Sequence, residues 1–322
     1  MEVFYLTLEQ MLLMFLLIIV GFMFRKKKLL PDNAHSAFSK LETYLLVPSL
    51  TLYTQINKCT VASLTENWTL ILYGGAIVLF SMALAYPLSK LFVRNAASSP
   101  ALTYQRNIYK YAMTFGNYGF MGDFLILGVF GDDVFFKYKL FTLGVAVMCS
   151  GWGLFILIPK EQSSSVLSKL KKGLITPPMI AIVVGITAGL LGLKNYIPQF
   201  IMRALDSAGK CQGPVAMVLA GLVIGGYNLK ELLTNKKVYV ASLLRLIILP
   251  GIIALILKVL GTDEQIVTLA LICFATPLGL NTIVYPATYG GDTKTGASMT
   301  VISHTLSVIT IPLMYLVFVT MS

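Results

Sequence analysis

Two asparagines stand in apolar segments that also contain helix-breaking residues. Asn117 lies in FGNYGFMGD (115–123), and Asn281 lies in FATPLGLNTIVYPATYGGD (274–292). An amide both donates and accepts hydrogen bonds, so it can bind a carboxylate and satisfy an interrupted backbone at once. Asparagine is also a frequent hydrogen-bonding partner between packed membrane helices. We therefore treat Asn117 and Asn281 as candidate substrate-binding residues, with helix-to-helix bonding as the alternative.

The residues around these asparagines predict broken helices. Pro277 removes a backbone N–H donor, and a freed backbone group in lipid needs another partner. A break exposes N–H groups at the start of the next helical piece, and such helix ends attract anions. Pro277, Gly279 and Gly119 are therefore candidate positions at which backbone faces a substrate. Tyr118 could line the same site, although packing would also explain its position. For each segment taken alone, a simple proline kink in an ordinary helix is the alternative to a broken helix.

Two titratable residues are candidates for a proton- or cation-coupling role. Asp123 is a carboxylate in an apolar segment, where charge is costly and usually functional; when protonated it would no longer repel an anion. The alternatives are an ion pair with Lys110, Lys137 or Lys139, or a position at the outer water boundary. His304 titrates in a range that permits proton coupling, and a hydrogen-bonded structural histidine is the alternative. Elsewhere in the chain, Arg245 could guide an anion or could snorkel to the membrane surface.

No pattern typical of an enzyme is present. The sequence lacks GxSxG, HExxH, a Walker loop and a dinucleotide-binding GxGxxG in a strand–helix setting. Its two histidines and four scattered cysteines have no ligand-like spacing. We predict no catalytic site, no metal, no cofactor and no disulfide.

The composition indicates the elements that must position these residues. Of 322 residues, 57% are hydrophobic and 12% are charged, whereas soluble domains carry roughly 25% charge. Apolar runs of about 20 residues recur, each long enough to cross the hydrocarbon layer. These features predict an all-α polytopic membrane protein with ten spans. Their approximate bounds are 7–24, 37–56, 68–92, 107–130, 134–158, 174–193, 198–226, 238–260, 265–290 and 295–320.

Lysine and arginine in the loops predict the orientation. The first span is followed by the cluster Arg25–Lys28 and preceded by no basic residue. Basic residues recur in alternate loops, and the predicted outer loops hold only Lys58 and Lys194. Because positive loops stay in the cytoplasm, we predict that both termini lie outside a plasma membrane. The net charge of +11 is explained by these loops, so no nucleic acid partner is predicted.

An even split of ten spans predicts two inverted halves. The halves are 1–158 and 174–322, joined by a cytoplasmic linker at 159–173. Phe130-Gly131-Asp132 and Tyr289-Gly290-Gly291-Asp292 end the two interrupted segments in similar aromatic–Gly–Asp corners. Interrupted segments at matching positions of two halves point to a transporter's binding site.

These motifs resemble those of the auxin efflux carrier family. The matching features are NYGFMG (117–122), the P-x-G-x-N block 277–281, the YGGD corner 289–292 and SHTLSVITIPL (303–313). The family includes the plant PIN-FORMED carriers and bacterial carboxylate permeases. The resemblance implies a sodium/proton antiporter-like fold in which spans four and nine cross as broken helices. It also implies a scaffold of helices 1, 2, 6 and 7, a moving core of helices 3–5 and 8–10, and homodimers formed through the scaffold.

The chain departs from the family pattern after the first motif. Members usually have a proline soon after N-x-G-x-x-G, but here Gly122 is followed by Asp123, and the next proline is Pro159. Gly116, Gly119 and Gly122 would loosen the helix instead. A charged Asp123 would repel an anion at this position.

Together these features predict a secondary active transporter of small organic anions that works by alternating access. The candidate substrates are carboxylates such as malate or malonate, or auxin-like acids, carried by a symporter or antiporter with H+ or Na+ as the coupling ion. Apart from the substrate, the expected partners are membrane lipid and a second copy of the chain. The alternatives are a membrane sensor or regulatory subunit that binds without transport, and a channel.

Overall fold

A computed structural model describes residues 2–158, 175–288 and 291–320 of the chain. The predicted linker 159–173 lies outside these ranges. Tyr289 and Gly290 of the second predicted corner lie outside them as well.

The described residues form helices, with one isolated bridge between Gly116 and Leu278 and no strand. The α-helices are α1 (Glu2–Lys26), α2 (Ala34–Leu41), α3 (Val47–Lys58), α4 (Val61–Phe92), α5 (Pro100–Thr114), α6 (Asp123–Phe141), α7 (Leu143–Met148), α8 (Leu154–Leu157), α9 (Pro177–Leu190), α10 (Gln199–Lys210), α11 (Gln212–Gly225), α12 (Leu229–Leu233), α13 (Lys236–Leu243), α14 (Leu249–Val259), α15 (Glu264–Ala275), α16 (Asn281–Thr288) and α17 (Lys294–Tyr315). Wider π-helical turns occur at Glu42–Leu46, Tyr118–Gly122, Cys149–Gly153, Leu244–Ile248 and Leu316–Thr320.

Several helices are long and apolar enough to cross a membrane, as a multi-pass membrane protein requires. Among the described residues there are five, or six if the bent pair Tyr118–Phe141 and Leu143–Leu157 counts as one span. The five are Val3–Lys26, Val61–Phe92, Gln199–Gly225, Lys236–Val259 and Lys294–Val319. Other predicted spans consist of shorter pieces: α15 has 12 residues and α16 has eight. The all-helical membrane architecture is therefore shown, while the count of ten and the inverted repeat stay predictions.

One group of helices packs through small residues. α1 lies along α11, and α3 packs against both α9 and α10. A Cβ atom added to Gly21 would collide with the Val218 carbonyl, and one added to Gly221 would collide with the Ile18 carbonyl. Glycine therefore allows the backbones of α1 and α11 to approach closely, which is how membrane helices gain packing contact.

A second group surrounds the interrupted segments. α4 packs against α5, α6 and α7, and α15 packs against α14 and α17. The start of α17 is buried and consists of small residues, namely Thr295, Gly296, Ala297 and Ser298. This helix also contacts α1 and α11, so the two groups share an interface.

Gly131 reverses the chain within α6. Its φ of 75° and ψ of −174° are not helical, and a positive φ favours glycine because it has no Cβ. The turn coincides with the predicted aromatic–Gly–Asp corner. It brings residues after Gly131 back beside residues before it: the Tyr138 hydroxyl donates to the Tyr118 carbonyl over 3.0 Å.

Candidate functional site

Two helices stop near the centre of the second group. α5 ends at Thr114 and α15 ends at Ala275, and the next residues, Phe115 and Thr276, have extended backbone. Thr276 precedes Pro277, and steric clash with a proline disfavours helical backbone at the residue before it. Pro277 therefore favours the second stop, as the sequence predicts.

The two extended stretches cross and hydrogen-bond to each other. Gly116 and Leu278 form the antiparallel bridge, and the N–H of Asn117 donates to the carbonyl oxygen of Pro277 over 2.8 Å. The N–H of Leu278 donates to the hydroxyl of Ser303 on α17 over 3.0 Å. The N–H groups of Asn117 and Leu278 thus find partners in the other break and in a side chain, as a membrane interior demands.

The crossing is too tight for a side chain at its centre. A Cβ atom on Gly116 would collide with the Thr276 hydroxyl and would lie 2.8 Å from a guanidinium nitrogen of Arg245. A Cβ atom on Gly279 would lie 3.1 Å from the Gly116 carbonyl oxygen. The glycines therefore permit the close approach of the two segments.

The Asn117 side chain is held by a histidine. Its Nδ2 lies 3.2 Å from Nε2 of His304, whose Nδ1 lies 2.8 Å from the Thr300 carbonyl oxygen. A carbonyl oxygen only accepts, so Nδ1 carries the proton and Nε2 accepts from the Asn117 amide. His304 is thus a neutral imidazole that orients Asn117.

The Asn281 side chain is held by different partners. Its Nδ2 donates to the Tyr111 hydroxyl over 3.0 Å, and that hydroxyl lies 3.0 Å from the sulfur of Cys149. Asn281 is also the first residue of α16. Each of the two amides therefore stands where a helix resumes, and each is positioned by a side chain from a neighbouring helix.

Both asparagines face one cavity of about 180 Å³. One wall comes from α2, α3 and α9, and the other comes from the crossing, α6, α7 and the turn after α7. The polar and aromatic residues among those lining it are Ser39, Thr43, Thr51, Gln55, Asn117, Tyr118, Phe120, Asp123, Lys139, Thr142, Cys149, Ser150, Thr176, Asn281 and Tyr285. The cavity thus lies between the two groups of helices.

An ion pair lies in the cavity wall. Lys139 Nζ is 3.0 Å from Asp123 Oδ2, and the side chains are only 12% and 2% exposed. Lys139 is thus the partner among the three predicted lysines: Lys137 donates instead to Gln265 over 2.9 Å, and Lys110 Nζ lies 3.5 Å from the Asn107 side-chain oxygen. The second oxygen of Asp123 has no hydrogen-bond partner among the described residues.

Arg245 reaches the far side of the crossing and does not snorkel. It is fully buried, and none of its guanidinium nitrogens has a hydrogen-bond partner in the described part of the chain. The guanidinium lies 5.4 Å from the ring centre of Phe274 and next to Gly116. The C-terminal ends of α5 and α15 meet here, and their negative partial charge favours a cation. At the cavity wall, by contrast, two helical pieces begin, one at Tyr118 and one at Asn281. Their N-terminal ends carry positive partial charge.

The structure places nearly all predicted site residues together. Asn117, Tyr118, Gly119, Gly279, Asn281 and the coupling candidate Asp123 line the cavity. Pro277 lies in the crossing, and His304 lies behind Asn117.

Some residues of the site were not predicted. Tyr111 and Cys149 contact Asn281 or each other through side-chain hydrogen bonds and belong to no motif, and Ser303 belongs to the motif 303–313 but its bond to the Leu278 N–H was not predicted. Lys139 was one of three predicted partners of Asp123, and one signal in the sequence favours it: Asp123 and Lys139 are equidistant from Gly131, so a turn at that glycine brings them side by side.

Comparison with known proteins agrees with this architecture. A model of the membrane transport protein family, to which the auxin efflux carriers belong, matches residues 6–168 and 165–315. This chain belongs to the membrane transport protein family. The predicted resemblance is thereby confirmed across almost the whole chain.

Two archaeal relatives cover nearly the same length as this family member. One is an uncharacterized transporter of Methanocaldococcus jannaschii, 25% identical over 316 residues, which are 95% of this chain and 97% of the relative. The other is an uncharacterized transporter of Methanothermobacter thermautotrophicus, 22% identical over 306 residues, which are 95% of this chain and 96% of the relative. The family description and the names of both relatives indicate membrane transport as the general role.

Proposed function

We propose that this protein is a secondary active transporter of small organic anions, with the cavity at the crossing as its substrate site. The observation that carries the proposal is the pair of amides, Asn117 and Asn281, each at the start of a helical piece and both facing one cavity. Amide N–H groups and positive helix ends are donors that suit a carboxylate.

The size of the cavity favours a small substrate. Its volume is about 180 Å³, whereas pockets for drug-sized ligands measure roughly 300–1,000 Å³. The candidate substrates are therefore small carboxylates such as malonate or malate, and an auxin-like acid is at the upper end of what fits. Lys139 supplies the positive charge for such an anion.

The location of the cavity supports alternating access. Its walls come from two groups of helices, so sliding of one group against the other would close the site on one side and open it on the other. The group of α1, α3, α9, α10 and α11 would be the scaffold, and the group holding the crossing would move. A homodimer through the scaffold and both termini outside the plasma membrane complete the proposed arrangement.

Flux into proteoliposomes tests this function. Labelled malonate, malate and indole-3-acetate would be offered under imposed pH or sodium gradients to the wild type and to Asn281→Ala. Asn67→Ala is the matched control, because Asn67 lies on α4 and bonds the Ser63 carbonyl within its own helix. Uptake by the wild type and the control but not by Asn281→Ala supports the proposal.

Other results favour the alternatives. Ligand binding without flux under any gradient indicates a sensor or regulatory subunit. Ion conduction in bilayers at rates above those of carriers indicates a channel. Uptake that persists in Asn281→Ala places the substrate site elsewhere.

A further inference from the structure

A second cavity meets the first at Asp123. This cavity has a volume of about 210 Å³ and lies between α3, α6, α10 and α11. Its lining includes Leu50, Phe124, Lys210 and Gln212, together with Asp123 itself. Asp123 also lines the substrate cavity, so this residue stands between the two cavities.

The ion pair at this junction is incompletely bonded. Asp123 Oδ2 accepts from Lys139, while Oδ1 has no partner among the described residues. The Lys139 ammonium group has three N–H donors. One of them donates to Asp123. Both groups are therefore able to take a new partner from the cavity. A buried ion pair of this kind adds little stability, because desolvation offsets the attraction.

On the basis of the proposed function, we infer that the Asp123–Lys139 pair exchanges partners during transport and sets a coupling of one proton to one substrate anion. With Asp123 ionised, the pair is neutral and the carboxylate repels an anion. When Asp123 takes up a proton, Lys139 is left with an uncompensated charge and binds a substrate carboxylate. Protonation and anion binding therefore favour each other, as linked ligands must.

The charges in the site determine whether transport moves net charge across the membrane. The empty site is neutral because Asp123 and Lys139 cancel. A site holding one proton and a monocarboxylate is also neutral, because the protonated Asp123 is uncharged and the substrate cancels Lys139. Transport of a monocarboxylate is then electroneutral, and transport of a dicarboxylate moves one negative charge.

Four other ionisable side chains have to be considered as alternatives to the Asp123–Lys139 pair. Tyr138 of α6 and Cys273 of α15 lie close enough to interact with its charge. Lys210 of α10 faces the second cavity but is paired with Asp206 over 2.6 Å. Glu42 is another fully buried carboxyl without a partner among the described residues, but it is absent from the lining of both cavities.

Proton uptake on ligand binding tests this inference without relying on transport. Malonate and indole-3-acetate would be added to the purified full chain in weakly buffered detergent at pH 7.5, and a pH dye would record protons taken up. The wild type is expected to take up one proton per bound ligand. Asp123→Asn, which imitates the protonated state, is expected to bind the same probe with no proton uptake. Lys139→Met is expected to lose binding at least tenfold, and Lys139→Arg is expected to restore part of it.

Matched variants separate this role from misfolding. Lys137→Met changes a neighbouring lysine bound to Gln265, and Asp132→Asn changes an exposed carboxylate on the same helix; both are expected to retain binding and proton uptake. Thermal unfolding of each variant shows whether it is folded.

Different results would overturn the proton-coupling inference and the proposed transport function. Binding by the wild type without proton uptake overturns this inference and leaves the proposed function intact. Proton uptake that persists in Asp123→Asn, or that disappears in Glu42→Gln, also overturns it. Absence of binding and of flux for both probes in the wild type overturns the proposed function and this inference with it.

Discussion

The N–H of Asn117 donates to the carbonyl oxygen of Pro277 over 2.8 Å, which ties the two interrupted segments together where both lose helical structure. The same asparagine directs its side chain to His304. One residue therefore links the first break, the second break and the last long helix. We expect the crossing to respond to substitution as one unit.

Gly116→Ala should disrupt this unit. The added Cβ would collide with the Thr276 hydroxyl and approach the Thr276 carbonyl oxygen to 2.9 Å, so backbone must move. Forced overpacking usually costs about 1–3 kcal/mol. We expect a lower unfolding temperature and at least a tenfold loss of substrate binding. Gly75→Ala on α4 is the control, because its Cβ would meet no atom within 4 Å; an equal effect of both substitutions would contradict this explanation.

His304 should act by orienting Asn117. His304→Gln keeps an oxygen that can accept from the Asn117 amide, whereas His304→Leu leaves that buried amide unpaired at a cost of about 1–3 kcal/mol. Isothermal titration with malonate should show a larger loss of affinity for the leucine variant, about tenfold or more. The pH profile of binding by the glutamine variant should match that of the wild type. A shifted profile would make His304 a proton-binding group instead.

Tyr111→Phe removes the hydroxyl that holds Asn281. A hydrogen bond of this type contributes about 0.5–1.5 kcal/mol net, so substrate affinity should fall roughly three- to tenfold with little change in unfolding temperature. Tyr73→Phe on α4 serves as the comparison, since it removes a tyrosine hydroxyl other than the one to which the Asn281 amide donates. Unchanged affinity in Tyr111→Phe would show that Asn281 does not need this partner.

Arg245 should matter more for function than for stability. A buried charge without a hydrogen-bonding partner is costly, and replacing it with an apolar residue of similar volume is often neutral or stabilising. We therefore expect Arg245→Met to keep or raise the unfolding temperature while transport falls at least tenfold, because the carbonyl ends at the crossing lose their cation. A lower unfolding temperature with normal transport by the folded fraction would contradict this assignment.

The breaks were predictable because they depend on local chemistry. A proline disfavours helical backbone at the residue before it, as at Thr276, and Gly131 tolerates the positive φ at a corner that the aromatic–Gly–Asp pattern indicates. Periodicity and composition likewise predict an all-helical membrane protein. The proline rule is a preference rather than a certainty, because Pro87 and Pro312 lie inside α4 and α17.

Long-range partners were not predictable in the same way. Three lysines were candidate partners of Asp123, and only the turn at Gly131 selects Lys139. The environment of Arg245 depends on how α14, α15 and the crossing pack, which no local pattern encodes. The partnership of Asn281 with Tyr111 joins residues far apart in the chain for the same reason.

Solute counterflow tests the central claim most directly. Proteoliposomes loaded with unlabelled malonate would be diluted into a trace of labelled malonate with no ion gradient. A carrier with an alternating site exchanges the two, so the account predicts a transient accumulation of label above the outside concentration in the wild type and none in Asn281→Ala. Equilibration without overshoot, or no entry of label despite measured malonate binding, would contradict it.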